Sequence, residues 1–562
     1  MLRAAAAICL LLGVFAVPAR AQPLELMPGV TFEKSVQFTP HGAVVVDVIT
    51  APRPTGLYQL APVLARATMT GGRERVTQLE KDVSAQATVA GINGDFFDPG
   101  DGHPAGVYLA NGVLLHPPLA SRSSIGVDTA GALHVDRVRF FGTWRGNGQR
   151  RPLNGFNQAP GPGQVVLLTP AYGAKAPVVS GSAESILGSF PATTPNTDLA
   201  ATVTAVGTNG GEPVPAGGAI LQATGSLAAK LQAEAPVGTP VTARLILQPA
   251  WTGVVNGLGG GPVLVRNRAP VFRSLEDFTN DQIAARSPRA AVGQLADGRI
   301  VLVAVDGDQP GYSVGLTSFE LAQTLARLGV VTASAVQSGD AVTAAFDGRL
   351  LDRPSDPSGE QAVKEALLVE YVGVYAPPLP QPLLTGEPGR TDEPLAYKIV
   401  RPSTVTAQLV GPDGTVHPLE AGVQHPPGTY AFTGTGFDRE GTWKFDVTAT
   451  DDQQRPSAIE RTFRYDTTLR GLTAPRLARG RATFAFRLAR PAKVRLRIET
   501  RNGVPFVTLP QVSLAAGAQS VTWNGRLPLG TRAYGGSYVA HLFWSSAVGD
   551  SDAPVPFSFS RS

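Results

Sequence analysis

The 63 glycines and 48 prolines of this 562-residue chain are spread along its whole length, so few stretches run far before a turn residue interrupts them. A fold of many turns and short strands follows. The hydrophobic content of 43% supports buried cores, and a chain of this length divides into two to four domains instead of building one.

The opening "MLRAAAAICLLLGVFAVPARAQ" sets Arg3 before an apolar run from Ala4 to Val17 and ends in Ala19, Arg20, Ala21. This is the pattern of a secretory signal peptide over residues 1–21, with cleavage expected at Ala21–Gln22. The run is shorter than the roughly 20 residues that span a bilayer, and no later segment of the mature chain is apolar for long enough. The protein is therefore expected to be secreted: extracellular, periplasmic or at the cell surface. Cys9, the only cysteine, lies in this leader, which excludes disulfides, thiol nucleophiles and cysteine metal sites from the mature chain. The net charge of +4 falls to +2 without Arg3 and Arg20. The arginines form no block of five or six like charges, so a nucleic-acid partner is not expected.

From about residue 30 to 375 the chain mixes strand and helix patterns. "GAVVVDVIT" and "GQVVLLTP" are β-branched runs bounded by turn residues, as strands are. "RERVTQLEKDVSAQ", Arg73 to Gln86, reads as a helix. In "TSFELAQTLARLG" Thr317 and Glu320 form a capping box, Phe319, Ala322, Leu325 and Leu328 keep helical spacing, and Gly329 stops the helix. "GEQAVKEALLVEYVG" reads as a helix that turns into a strand near Leu368. The pattern predicts an α+β domain over 30–375. A Pro-rich linker follows over 376–394.

The tail repeats itself weakly: "RPSTVTAQLVGPDGTV" at Arg401 is echoed by "RPAKVRLRIETRNGV" at Arg490, and "GTWKFDV" at Gly441 by "GSYVAHLF" at Gly536. Two all-β sandwich modules of about 90 residues each, 395–470 and 471–562, are expected. In the second, Trp523-Asn524-Gly525 and Gly535-Gly536-Ser537-Tyr538 resemble the FlgD-type immunoglobulin-like domain. As core anchors and turns these residues carry no chemistry of their own, and the modules would position or attach the first domain.

Chemistry concentrates in two stretches. In "AGINGDFFDPGDGHPAG", Ala90 to Gly106, a buried strand delivers Asn93, Gly94 and Asp95 to its end, where polar side chains can clear the sheet. Asp95, Asp98, Asp101 and His103 stand close in sequence, and crowded carboxylates shift one another's pKa values or hold a cation. Asn-Gly and Asp-Gly are equally ordinary turn chemistry, so a structural turn and the wall of a cleft both stand. In the second stretch, "NGLGGGPVLVRN" from Asn256 is followed by "SPRAAVG" from Ser287. Glycine-rich backbone can cradle an anion, and Arg289 can grip a phosphate through two parallel hydrogen bonds. No Gly-Lys-Ser/Thr follows Gly259-Gly260-Gly261, which excludes a nucleotide P-loop.

Read together with "HPAGVYLANGVLL", "RSSIGVD", "LNGFNQAPGPGQVVLLTPAYG", "VDGDQPGYSVGLTSFELAQTLARLG" and "RPSDPSGEQAVKEALLV", these stretches resemble the phosphodiester glycosidase family from about Val48 to Tyr371. The resemblance implies an α+β phosphodiester-glycosidase-like domain, to which the repeat in the tail adds two immunoglobulin-like modules. It also implies hydrolysis of a glycosyl phosphodiester, such as an N-acetylglucosamine-1-phosphodiester, in extracellular or cell-wall polysaccharide. Asp95, Asp306 and Asp340 are then the catalytic candidates, and Asn93, Phe96, Phe97 and Arg289 the substrate-binding ones. Neither a metal nor a cofactor enters this reading.

Three departures from the family pattern weigh against catalysis. The family's Leu-Asp-Gly-Gly-Gly-Ser turn reads Val336-Gln337-Ser338-Gly339-Asp340-Ala341, its Asp-Gly-Arg reads Asp306-Gly307-Asp308, and an arginine is replaced by Gln361. Glutamine transfers no proton at ordinary pH, and Asp308 repels a phosphodiester that arginine would hold. The alternative is a catalytically degenerate protein that keeps the cleft and binds carbohydrate or a cell surface.

Overall fold

The computed structural model describes residues 23–100, 102–379, 395–432, 437, 439–500, 505–527 and 530–560. The leader over 1–21, Asp101 and most of the linker, 380–394, lie outside the described residues. Strands make up 51% of the structure and helices 7%, so the α+β expectation gives way to a β-dominated architecture. Helix is scarce because glycine and proline recur along the chain, and even Arg73–Gln86, which holds neither, is realised only as Val76–Asp82. The Gly359–Leu368 segment forms no helix and enters the strand Glu365–Tyr371. Its run Ala366–Val369 is buried residue after residue, and a run covered on both faces has no period to distinguish strand from helix.

The described residues divide into two compact units, those within 23–55, 60–80 and 90–369 forming the first, and those within 56–59, 81–89 and 370–560 the second. The first unit is organised around an antiparallel sheet of eight strands. Its order is Leu24–Met27, Val30–Thr39, Gly42–Ala51, Ile300–Val305, Arg289–Leu295, Val330–Ala335, Val263–Arg266 and Ala269–Pro270.

The helix Ser318–Arg327 carries the chain from Ile300–Val305 to Val330–Ala335, skipping the strand between them. It starts where the sequence says it must, with the Thr317 hydroxyl accepting from the Glu320 amide and Glu320 accepting from the Thr317 amide. Gly329, at φ +87°, ends it. Leu321, Ala322 and Leu325 pack against Val44, Val46, Val301 and Val303, each leucine adding roughly 1.5–3 kcal/mol of burial. A second eight-stranded sheet, from Arg139–Arg145 to Pro240–Gln248 in sequence, closes over its own core of Trp144, Phe156, Leu221 and Leu245.

In the second unit the sequence repeat becomes a structural one. Ser403–Val410 pairs antiparallel with Gly441–Asp451, and Ala492–Thr500 pairs antiparallel with Gly536–Ser546. Alternate residues of these strands are buried, the period-2 signature of a half-covered sheet. Aromatic rings fill the space between facing sheets, Phe432 against Phe445 in the first copy and Phe484 against Phe557 in the second. Trp443 and Trp523 are fully buried.

Candidate functional site

The strand Thr88–Asn93 is buried throughout and ends at the expected turn. Asn93 does not face a ligand: its Nδ2 donates to the Gln337 carbonyl (2.8 Å) and its Oδ1 accepts from the Thr343 amide (3.2 Å). With the Gln337 amide bonded to the Gly94 carbonyl, this places the Val336–Ala341 turn beside Asn93-Gly94-Asp95. Gly94 is required because a Cβ there would sit 2.8 Å from the Glu365 carbonyl oxygen.

Asp95 turns inward. It is 2% exposed, and its amide donates to Glu365 Oε1 at 3.1 Å. Its carboxylate lies against two glycines, so close that a Cβ on Gly259 would fall 1.8 Å from Oδ2 and one on Gly106 2.6 Å from it. Burial raises the pKa of Asp95, while the Phe96 and Gly106 amides and the Arg122 charge oppose the rise. Burial pushes Glu365 well up too, Asp95 adds to it, and Lys364 opposes. The pair therefore retains a proton where isolated carboxyls would be ionised. Asp98 goes the other way: it is exposed and accepts from the Gly100 amide in its own turn. The stretch is thus both a turn and an inward-facing acid.

Arg289, 3% exposed, aims its guanidinium at backbone. Nε donates to the Leu316 carbonyl (2.9 Å), and the two terminal nitrogens to the carbonyls of Gln282 (2.5 Å) and Ala285 (2.6 Å). Burial lowers its pKa to about 10, and Asp308 opposes the shift. Asp308 and Asp340 are both exposed and near enough to interact. Asp308 is raised, first by desolvation and then by Asp340, with Arg289 opposing. The Ser355 hydroxyl donates to Asp340 Oδ1 at 2.8 Å. Gln337 is half-buried, its Oε1 enclosed without a partner among the described residues. Gln361 donates instead to Asp356.

Asp306 belongs to a second buried group. It is 2% exposed, accepts from the Tyr312 hydroxyl (2.8 Å) and the Arg353 amide (3.1 Å), and is raised by burial against those two bonds. Asp47, bridged to Lys34 at 3.2 Å, is pushed up to about 7 by burial, with Lys34 opposing and Asp306 adding. Asp352 is raised well above the usual range by the same burial and by both neighbours. The Arg353–Ser355 segment touches both acids, its Arg353 amide on Asp306 and its Ser355 hydroxyl on Asp340.

Phe96 and Phe97 are half-buried. The Arg122 guanidinium lies over Phe96 (5.1 Å) and Phe278 (4.4 Å), and Arg73 over Phe97 (5.2 Å), contacts of the cation–π kind. Among the described residues no group of three or more His, Cys, Asp or Glu is arranged to hold a metal ion.

The structure brings Asn93 and Asp95 together with Gln337, and Arg289 with Asp308 and Asp340. Asp306 sits with Asp47 and Asp352. Sequence reasoning missed Glu365, Asp47, Asp352 and Arg122. Glu365 and Asp47 are single charges inside the apolar runs "KEALLV" and "VVVDVI", and Arg122 and Asp352 carried no signal of their own.

Residues 194–370 match the family model for phosphodiester glycosidase. Over 119 residues the chain is 29% identical to the SPbeta prophage-derived uncharacterized protein YomE of Bacillus subtilis (strain 168), which covers 21% of this chain and 18% of that protein. A hypothetical protein from Synechocystis shares the fold, with a TM-score of 0.50 and 24% identity over 61% of this chain and 62% of that one. The chain thus spans less than two thirds of either relative. The catalytic domain of zebrafish N-acetylglucosamine-1-phosphodiester alpha-N-acetylglucosaminidase, auto-inhibited by its pro-peptide, aligns at 13% identity with a TM-score of 0.34 over 63% of this chain and 85% of that domain.

Proposed function

We propose that the first unit is a glycosyl phosphodiester hydrolase acting outside the cytoplasm. The observation that carries the reading is the family match over 194–370, which takes in Arg289, Asp308 and Asp340. Asp308 is raised by desolvation and by Asp340, as suits an acid that must hold its proton until the bond breaks. Asp308, the raised one, holds a proton for the leaving phosphate oxygen. Asp340, oriented by Ser355, takes a proton from the attacking water. The sugar C1–O bond breaks, the water oxygen joins C1, and the phosphate monoester leaves with the bridging oxygen. Asp95 and Asp306, both beneath the surface, act in this reading by shaping the turns that carry Asp340 and Asp308. Phe96 and Phe97 form a wall for the sugar.

Export follows from the leader pattern in residues 1–21; among the described residues no helix is long and apolar enough to cross a membrane. The paired sheets of the second unit serve as immunoglobulin-like spacers, the last of FlgD type.

A second reading, recognition without turnover, is favoured by Gln337 standing where the family has an acid and by the guanidinium of Arg289 being engaged by three carbonyls. The test is release of N-acetylglucosamine and para-nitrophenyl phosphate from a para-nitrophenyl N-acetylglucosaminyl phosphodiester by the full chain. Turnover that Asp340→Asn removes supports the hydrolase. Saturable binding without turnover, in wild type and Gln337→Asp alike, replaces it with the recognition protein.

A further inference from the structure

A groove of about 820 Å³ opens on the first unit, lined by Leu264, Phe272, Arg273, Leu275, Ile283 and Phe319. That volume lies in the ~300–1,000 Å³ range of small-molecule sites. Phe272 and Leu275 stand 72% and 80% exposed, an unusual state for two large apolar side chains on one loop. Phe272 meets Phe319 edge to face at 5.0 Å, which shapes the groove wall.

The loop is held in this form. Leu275 has φ +57°, a conformation a branched residue keeps only when its surroundings enforce it. Here the Arg137 guanidinium donates to the carbonyls of Ser274 (2.9 Å) and Leu275, and Glu276 accepts from the amides of Ser123 and Val263, both at 2.7 Å. Relaxing Leu275 and folding it inward would break these contacts.

The groove also has a charge preference. Its two carboxylates are occupied, Glu276 by those amides and Glu320 by Arg286 and the Thr317 amide. Arg273, by contrast, is exposed and has no ion pair among the described residues, so the charge the groove leaves open to a ligand is a guanidinium. The loop's far side reaches the candidate site, where Phe278 stacks with Phe96 at 5.9 Å and lies under Arg122.

We propose that this groove binds a monomeric anionic amphiphile, a phosphate ester of a long-chain or isoprenoid alcohol, with the chain along Phe272, Leu275 and Ile283 and the phosphate on Arg273. Binding stands without the hydrolytic reading; only the further step, that such an alcohol is the aglycone of the substrate, rests on it.

The test is calorimetric titration of the full chain with dodecyl phosphate below its micelle concentration, beside inorganic phosphate and 1-decanol. Saturable one-to-one binding of dodecyl phosphate is expected, with no binding of inorganic phosphate. Phe272→Ser and Leu275→Ser should each weaken it about tenfold. Arg273→Gln should weaken dodecyl phosphate and leave decanol unchanged. All three residues lie at an open surface, and an unchanged thermal midpoint confirms that the variants fold. Equal affinity in wild type and the three variants overturns the proposal. So does binding to phosphatidylglycerol vesicles without binding to dodecyl phosphate, or a concentration-dependent dimer that Leu275→Ser dissolves. Failure of the hydrolytic reading looks different: dodecyl phosphate still binds, and no N-acetylglucosamine is released from the phosphodiester.

Discussion

The amide of Asp95 donates to Glu365 Oε1 across 3.1 Å, and the two carboxyls lie together at 2% and 0% exposure. Both are raised by burial, so the native protein holds protons that the unfolded chain has released above about pH 4–4.5. Stability contributed by the protonated pair is complete below the unfolded pKa and is lost as pH rises toward the folded one. Asp47, raised to about 7, acts in the same direction. The thermal midpoint of the first unit should therefore fall between about pH 5 and pH 7, and the doubly substituted Asp95→Asn/Glu365→Gln protein should show a shallower fall. Parallel curves for the two proteins would rule out the buried pair as the source.

Gly259 is where backbone meets the Asp95 carboxylate. A Cβ placed 1.8 Å from Oδ2 has no room, and neither neighbour is a flexible chain end. Gly259→Ala is expected to lower stability by about 3 kcal/mol or more, the upper range for overpacking. Urea unfolding measures it. Gly112→Ala, where a Cβ meets nothing within 4 Å but φ is +77°, should cost only about 1 kcal/mol of backbone strain.

Arg289 holds three carbonyls from two segments. A lysine ammonium cannot reproduce that planar fork. Arg289→Lys should therefore destabilise nearly as much as Arg289→Ala, by about 2–4 kcal/mol, and should raise hydrogen exchange in Asn280–Ala284. If Arg289 acted mainly on a phosphate, stability would be untouched by Arg289→Lys and ligand affinity alone would drop.

Asp308 and Asp340 divide the proton work in the hydrolytic reading. Asp340→Asn should reduce kcat roughly 10²–10⁴-fold. Asp308→Asn should abolish the alkaline limb of the pH–rate profile, because its raised pKa sets the pH at which the acid form disappears. A profile unchanged by Asp308→Asn assigns the acid elsewhere.

Thr317 caps the helix Ser318–Arg327, which connects two strands of the main sheet of the first unit. Thr317→Ala should lower stability by about 1 kcal/mol, read from the unfolding midpoint. Thr317→Ser should restore most of it through the same bond to the Glu320 amide.

Local pattern carried a good part of the fold. The helix Ser318–Arg327, the strands Gly42–Ala51 and Val165–Leu168 and the turn after Asn93 were all legible, because capping, alternation and turn chemistry act within a few residues. The Glu365–Tyr371 strand was not: buried on both faces, its apolar run has no period. The site was less legible still. Asp95 meets a residue 270 positions away, and two glycines from separate stretches decide that it points inward.

By itself, then, the sequence determined which residues carry charge, where turns must fall, and that acids cluster around Asn93–Asp95, Asp306–Asp308 and Gln337–Asp340. Only the tertiary structure decided which of those acids are buried, that the guanidinium of Arg289 is engaged by backbone, and that Leu275 is held outward in a left-handed conformation. Burial and desolvation depend on what the rest of the chain packs against each group, and no local pattern encodes that.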